Sequence, residues 1–310
     1  MEHRPIGSLS VSIVGLGCNN FGGRMDAAAT ASVVTSALDA GIDFFDTADV
    51  YGGGLSEEYL GKALGARRSE AVIATKFGAP NSAKQGMPRG GAAWIEVAVE
   101  RSLRRLGTDY IDHYQLHFPD ADVPIEETLR ALEALVKAGK VREIGCSNFG
   151  STRLYEADQV AKEKSLAPFR TVQNRYSVLH REPEPKVVPA CRELGIGLIP
   201  YFPLESGLLS GKYRQGQPLP EGTRLAAFPE GQRERFTGGD NMQRVEKLHA
   251  YAESKGYGLL DLAVSWLTSN PVVTSVIAGA TRPQQVAANA AACGWRMTEE
   301  DRQEIDRLLA

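Results

Sequence analysis

The stretch "DFFDTADVYGGGLSEEYLGKALGAR" (Asp43 to Arg67) contains two periodicities joined by a glycine turn. Its first six residues are a short apolar run, suited to a strand buried on both faces. Three glycines follow, and then a helical pattern from Ser56. The same alternation extends both ways along the chain. Upstream lies "SIVGLG", then the amphipathic "AAATASVVTSALDAG". Downstream, "AVIATK", "IDHYQLH", "REIGCSN", "TVQNRYS", "GLIPYFP" and "TSVIAG" alternate with helical stretches such as "AAWIEVAVERSLRRLG" and "PIEETLRALEALVKAGK". In the last of these, Pro124 with Glu126 and Glu127 opens the helix, and Gly139 followed by a lysine closes it.

Eight strands, each followed by helix, predict a parallel sheet covered on both faces. That number favours closure into an α/β (β/α)8 TIM barrel. "RPIGSLSVS" is expected to form an N-terminal β-hairpin plugging the bottom. A long loop, Tyr213 to Asn241, is expected after the seventh strand, where its length suits a lid or binding loop. A C-terminal extra helix completes the expectation of one domain over residues 1–310.

The chain has 310 residues, is 43% hydrophobic and carries a net charge of -3. A chain this long can bury about three quarters of its unfolded surface. Charge is balanced along it, with no basic stripe for a phosphate backbone, which argues against nucleic acid as a partner. No signal-peptide run or 18-residue apolar segment occurs, so a cytoplasmic protein without a membrane span is expected. Cys18, Cys146, Cys191 and Cys293 are scattered and read as thiols in a reducing compartment.

In a barrel, polar residues at the carboxyl ends of strands face the active-site mouth. The second strand ends at Asp46, the third at Lys76 and the fourth at His117. Neighbouring strands lie ~4.8 Å apart, which brings these side chains to one rim, with Tyr51 in the loop above. A free phenol titrates near 10. A buried ammonium should lower that value, while Asp46 keeps the ammonium charged. Tyr51 then suits general acid/base work, and a neutral His117 would orient a carbonyl oxygen. The set fits proton transfer at a carbonyl or carbinol carbon. It does not fit hydrolysis, because no nucleophile is activated.

Each residue alone has a plain structural explanation: a rim salt bridge, a packing tyrosine, a core histidine. Their coincidence on three consecutive strand ends is what points to a site. His113 and His117 share a strand face but lie roughly 13 Å apart, too far to share an ion. With no further ligand cluster, no metal is expected. Trp94, Trp266 and Trp295 sit in helical patterns and read as core.

These residues resemble the aldo-keto reductase superfamily. The likeness runs through "GLGCNNFGG", "DTADVYGGGLSE", "ATKFG", "QLHFPD", "IGCSNF", "VQNRYS", "YFPLESGLLSGKY" and "SVIAGATRPQQVAAN", in the family's order and at its intervals. The resemblance implies a cytoplasmic oxidoreductase with Tyr51 as general acid/base, Lys76 and Asp46 tuning it, and His117 positioning the carbonyl. Hydride must come from a nicotinamide cofactor, since no side chain supplies one. The Rossmann fingerprint is absent: after Gly15 and Gly17, Asn20 stands where a third glycine would be.

The family instead extends its cofactor across the barrel mouth. By position, Gly17 and Asp46 belong to the cofactor site, Ser147, Asn148 and Gln173 hold the carboxamide, and Tyr201 stacks on the ring. Phe202, Leu204, Ser206, Gly207 and Lys212 line the pyrophosphate. Gly279, Thr281, Gln285 and Asn289 meet the adenosine end, where "RPQQV" starts a helix with free N–H groups.

Family members preferring NADP(H) often carry a lysine and an arginine where this chain has Gly279 and Gln285. A branch with the Gly/Gln pattern also takes NADP(H), using an arginine of the long loop. Arg224 is the matching residue here, and Arg282 a second candidate. NADP(H) is therefore expected, with NAD(H) as the alternative.

The substrate should be a neutral aldehyde, ketone or sugar. Phe21, Phe77 and Phe118 either form its apolar wall or simply pack. A second reading is a nucleotide-sensing subunit like the potassium-channel β subunits. A channel partner would favour an extended amino-terminal segment, and this chain begins close to its hairpin, so the enzyme leads.

Overall fold

The computed structural model describes residues 1–80, 82 and 87–310. Strands β1 (His3–Ile6) and β2 (Leu9–Ser12) pair antiparallel as the expected hairpin. The barrel staves follow as β3 (Val14–Gly17), β4 (Phe44–Asp46), β5 (Val72–Phe77), β6 (Ile111–Leu116), β7 (Val141–Ser147), β8 (Thr171–Arg175), β9 (Gly197–Tyr201) and β10 (Val276–Gly279). All eight run parallel, in the order β10-β3-β4-β5-β6-β7-β8-β9. Closure comes at Leu198, whose N–H donates to the Val272 carbonyl and whose carbonyl accepts from Thr274, each at 2.8 Å. The result is a nearly closed (β/α)8 barrel.

The hairpin plugs the bottom by burying Ile6, Leu9 and Val11 against the inward-facing Phe44, Ala74, Ile199 and Ile277. Arg4 ties it to the end of the helix Leu259–Thr268 and to the segment leading into β10, donating to the carbonyls of Thr268 at 2.8 Å and Val273 at 2.5 Å. A larger apolar cluster fills the layer between staves and helices. The helix Ile125–Lys137 begins after Pro124, with Glu126 and Glu127 in its first turn, where carboxylates complement the helix dipole. The C-terminal helix is Glu299–Leu309.

Two expectations needed revision. The stretch from Tyr213 to Asn241 is not wholly irregular, because Glu230–Thr237 is helical. No residue of that helix is buried, so "EGQRERFT" had no apolar face to reveal it. Trp295 is buried but lies just past a 3-10 turn, in extended backbone. Among the described residues, no helix is long and apolar enough to cross a membrane.

Candidate functional site

Strand β4 is only three residues long, yet its backbone pairing continues past Asp46. Thr47 N–H donates to the Ala74 carbonyl at 2.9 Å and Asp49 N–H to the Lys76 carbonyl at 3.0 Å. The chain then turns through Tyr51–Gly54, with φ of 58°, 68° and 100° at the three glycines. A side chain at Gly52 would meet the Phe21 carbonyl at 2.6 Å. Only glycine allows this turn, and the turn presents Tyr51 over the rim.

Below Tyr51, the fully buried Lys76 donates to Asp46 Oδ2 at 2.7 Å and to the Thr47 carbonyl at 2.9 Å. Its ammonium lies 5.2 Å from the Tyr51 ring centre. His117, one residue beyond β6, meets Tyr51 edge-on with ring centres 5.9 Å apart. The four residues thus converge.

Burial would pull the Lys76 ammonium down, but Asp46 and the Tyr51 oxygen beside it more than offset this, so Lys76 stays charged. Burial pushes the Tyr51 phenol up, against Lys76. The net direction is opposite to the sequence expectation, because desolvation at this depth outweighs one ammonium already paired with Asp46. Tyr51 is therefore a protonated phenol at neutral pH. His117 is driven down to about 3, first by burial and then by Lys76, and is a neutral imidazole.

These residues border a cavity of ≈ 760 Å³ at the carboxyl ends of the staves, within the usual size for a small-molecule site. Gly17, Asp46, Tyr51, His117, Ser147, Asn148, Gln173, Tyr201, Phe202, Leu204, Ser206, Gly207, Lys212, Arg224, Gly279, Thr281, Gln285 and Asn289 all line it. Lys76 lies behind this lining. Cys18, Asn19, Asn20, Arg24 and Gln284 also line it and were not singled out as binding residues. "CNN" and "GGRM" immediately follow the first stave, and that placement was the signal available for Arg24. Phe21 and Phe77 belong to the core, leaving Phe118, stacked on His117, as the one of the three aromatics at the cavity.

The carboxamide-type groups are partly engaged with one another. Ser147 Oγ donates to the Gln173 carbonyl at 2.8 Å. Asn148 Nδ2 donates to the His117 carbonyl at 2.9 Å, and its Oδ1 accepts from Tyr201 at 2.8 Å. Gln173 Nε2 donates to Asp46 Oδ1 at 2.8 Å.

Beyond β9 the backbone takes left-handed φ at Phe202, Glu205, Ser206 and Gly207, a costly arrangement that the surroundings must enforce. Glu205 is buried and held by Ser177 Oγ at 2.8 Å and by Arg175.

A nicotinamide dinucleotide fits this lining. Ser206 Oγ and Arg224 Nε are buried there without a hydrogen-bond partner among the described residues, as expected of groups waiting for acceptors or donors. Neither Lys212, Arg224 nor Arg282 forms an ion pair among the described residues. At Gly17 an added Cβ would lie 3.0 Å from Ile277, so the floor is smooth and tight. The helix Pro283–Ala291 opens beside it without a side-chain cap.

The sequence profile of the Aldo/keto reductase family matches residues 13–310. The chain is similar to the aldo-keto reductase YhdN of Bacillus subtilis, at 35% identity over 100% of this chain and 94% of that protein. It is 36% identical to a probable voltage-gated potassium channel subunit beta of Arabidopsis thaliana, covering 93% of this chain and 90% of that one. The uncharacterized oxidoreductase YrpG of Bacillus subtilis is also 36% identical, over 92% and 89% of the two chains. A barrel with a buried lysine–aspartate pair under a tyrosine at its mouth, matched over nearly its whole length, places this oxidoreductase: the chain belongs to the aldo/keto reductase family.

Proposed function

We propose that this protein reduces the carbonyl of an aldehyde, ketone or sugar, or oxidises the corresponding alcohol, with NADP(H) as cofactor and Tyr51 as general acid/base. The observation that carries the reading is the buried Lys76–Asp46 pair at 2.7 Å, directly beneath the Tyr51 ring at the cavity wall. When bound, a nicotinamide supplies hydride at the carbonyl carbon.

The chain's own residues would do the rest. Tyr51 O–H and the cavity-side nitrogen of His117 donate to the substrate oxygen and orient it. Tyr51 gives up its proton as negative charge develops there. Lys76 stabilises the phenolate left behind, and Asp46 keeps Lys76 charged. In the alcohol direction Tyr51 must first lose its proton, which its upward shift makes a feature of alkaline pH. Gln173, Ser147 and Asn148 would hold the carboxamide and Tyr201 the ring. Ser206, Gly207 and Lys212 would receive the pyrophosphate. Arg224, with no carboxylate partner among the described residues, would receive the 2′-phosphate that distinguishes NADP(H). Four free thiols, three of them buried, suit a reducing cytoplasm.

An NADPH-consumption screen over aldehydes, ketones and sugars tests this. Wild-type protein should turn over at least one class, and Tyr51→Phe should lose about 10²–10⁴-fold in rate while NADPH affinity stays unchanged by fluorescence titration. NADPH binding with no turnover of any carbonyl would instead favour a nucleotide-sensing subunit.

A further inference from the structure

Beneath the Tyr51 turn lies a buried polar cluster of which the proposed chemistry uses only Lys76. Asp49 stands two residues before Tyr51, and its N–H donates to the Lys76 carbonyl at 3.0 Å. Four titratable side chains surround it from other elements: Lys76 on β5, Tyr114 on β6, Glu57 on the helix Leu55–Leu64 and Arg105 on the helix Ala92–Leu106. Arg105 supports the turn itself, since a Cβ on Gly54 would lie 3.0 Å from its Cδ.

The cations of this cluster are already engaged. Lys76 is held by Asp46 and the Thr47 carbonyl. Arg105 donates to Glu57 Oε2 at 2.6 Å, and Thr75 donates to the other Glu57 oxygen at 2.5 Å. Asp49 is the carboxyl left over. It forms no ion pair among the described residues, and its Oδ1 is buried without a hydrogen-bond partner. The Tyr114 hydroxyl, fully buried, is also unpartnered. A surplus carboxyl in such surroundings keeps its proton. Burial, then Glu57, push Asp49 up to about 7, against Arg105 and Lys76.

We propose that Asp49 is a positioning residue for the Tyr51–Lys76 pair, a carboxyl whose proton state sets how strongly Lys76 supports the Tyr51 phenolate. The proposal rests on Tyr51 being the acid/base. While Asp49 is neutral, Lys76 answers to Asp46 and Tyr51 alone. Once ionised, Asp49 draws on the same ammonium and adds negative charge near the phenol, which favours phenol over phenolate. Tyr51 then holds its proton more firmly, ready for carbonyl reduction, and alcohol oxidation is pushed to higher pH.

Two measurements test this. In wild-type protein carrying ¹³C at its aspartate carboxyls, one resonance should titrate near neutral pH and be missing from Asp49→Asn. This needs no turnover, so it stands apart from any failure of the Tyr51 assignment. In alcohol oxidation, the apparent pKa of the rising limb should fall in Asp49→Asn by on the order of half a unit or more, with NADPH affinity retained. Asp49→Glu, still titratable, should keep the wild-type limb. An aspartate set ionised throughout pH 5–8 overturns the proposal, as does a limb that Asp49→Asn leaves unmoved. Should Asp49→Asn fail to fold, Asp49→Glu still assigns the resonance by its loss from the labelled spectrum.

Discussion

Gln173 on β8 donates its Nε2 hydrogen to Asp46 Oδ1 at 2.8 Å, while Lys76 takes Oδ2 of the same carboxylate at 2.7 Å. Staves far apart in sequence thus clamp one buried carboxylate from two sides, and the Lys76 ammonium inherits its position from both. Removing the carboxylate leaves a buried cation uncompensated. Asp46→Asn should lower unfolding stability by about 3–5 kcal/mol, measured by urea denaturation. Gln173→Leu breaks one hydrogen bond to a charged group and should cost about 1.5–3 kcal/mol. Equal losses in the two variants would contradict this ordering.

Lys76→Met removes the ammonium beside the phenol and should move the alcohol-oxidation profile to higher pH as well as slowing it. An unmoved profile would mean that Lys76 serves folding alone.

His117, held down to about 3, should show no ionisation between pH 5 and 8 in an NMR titration of its ring. Its folded value lies below that of the unfolded chain, so its linkage costs stability as pH falls below about 6.5, where only the unfolded chain takes up the proton. Any inflection near pH 7 in the activity profile therefore belongs to another group, and Asp49 is the one raised to about 7.

The stability linkage of Asp49 has the opposite sign. Its folded value is raised from 3.8 to about 7, so the folded protein binds the extra proton and loses stability as pH climbs through that window. At about 1.4 kcal/mol per pKa unit, the loss is at most about 4.5 kcal/mol. Asp49→Asn should have its largest advantage in melting temperature over wild type at pH 8 and little at pH 4. A constant difference across that range would exclude the titration.

Arg224 stacks near the Phe202 and Phe228 rings, 5.8 and 5.9 Å from their centres, and has no anionic partner among the described residues. Arg224→Ala should weaken NADPH binding by about 10–100-fold, the worth of a hydrogen bond to a charged group, and leave NADH binding almost unchanged. Fluorescence titration with both nucleotides reads this directly, and tighter NADH than NADPH binding in wild type would reverse the cofactor preference.

The alternation of apolar runs and helical patterns determined the barrel, because parallel staves buried on both faces leave a simple hydrophobic signature. Strand ends in the sequence likewise located Asp46, Lys76 and His117, since the rim is where such a stave meets the mouth. The helix Glu230–Thr237 was invisible, having no buried face, and Arg24 gave no sign beyond its place after a strand. Two decisions belonged to the tertiary structure alone. Whether Tyr51 is raised or lowered depends on how deeply the phenol is buried compared with how closely the ammonium approaches. Whether Asp49 keeps its proton depends on which buried cations other carboxylates already occupy. Both are sums over neighbours distant in the chain, and no local pattern encodes them.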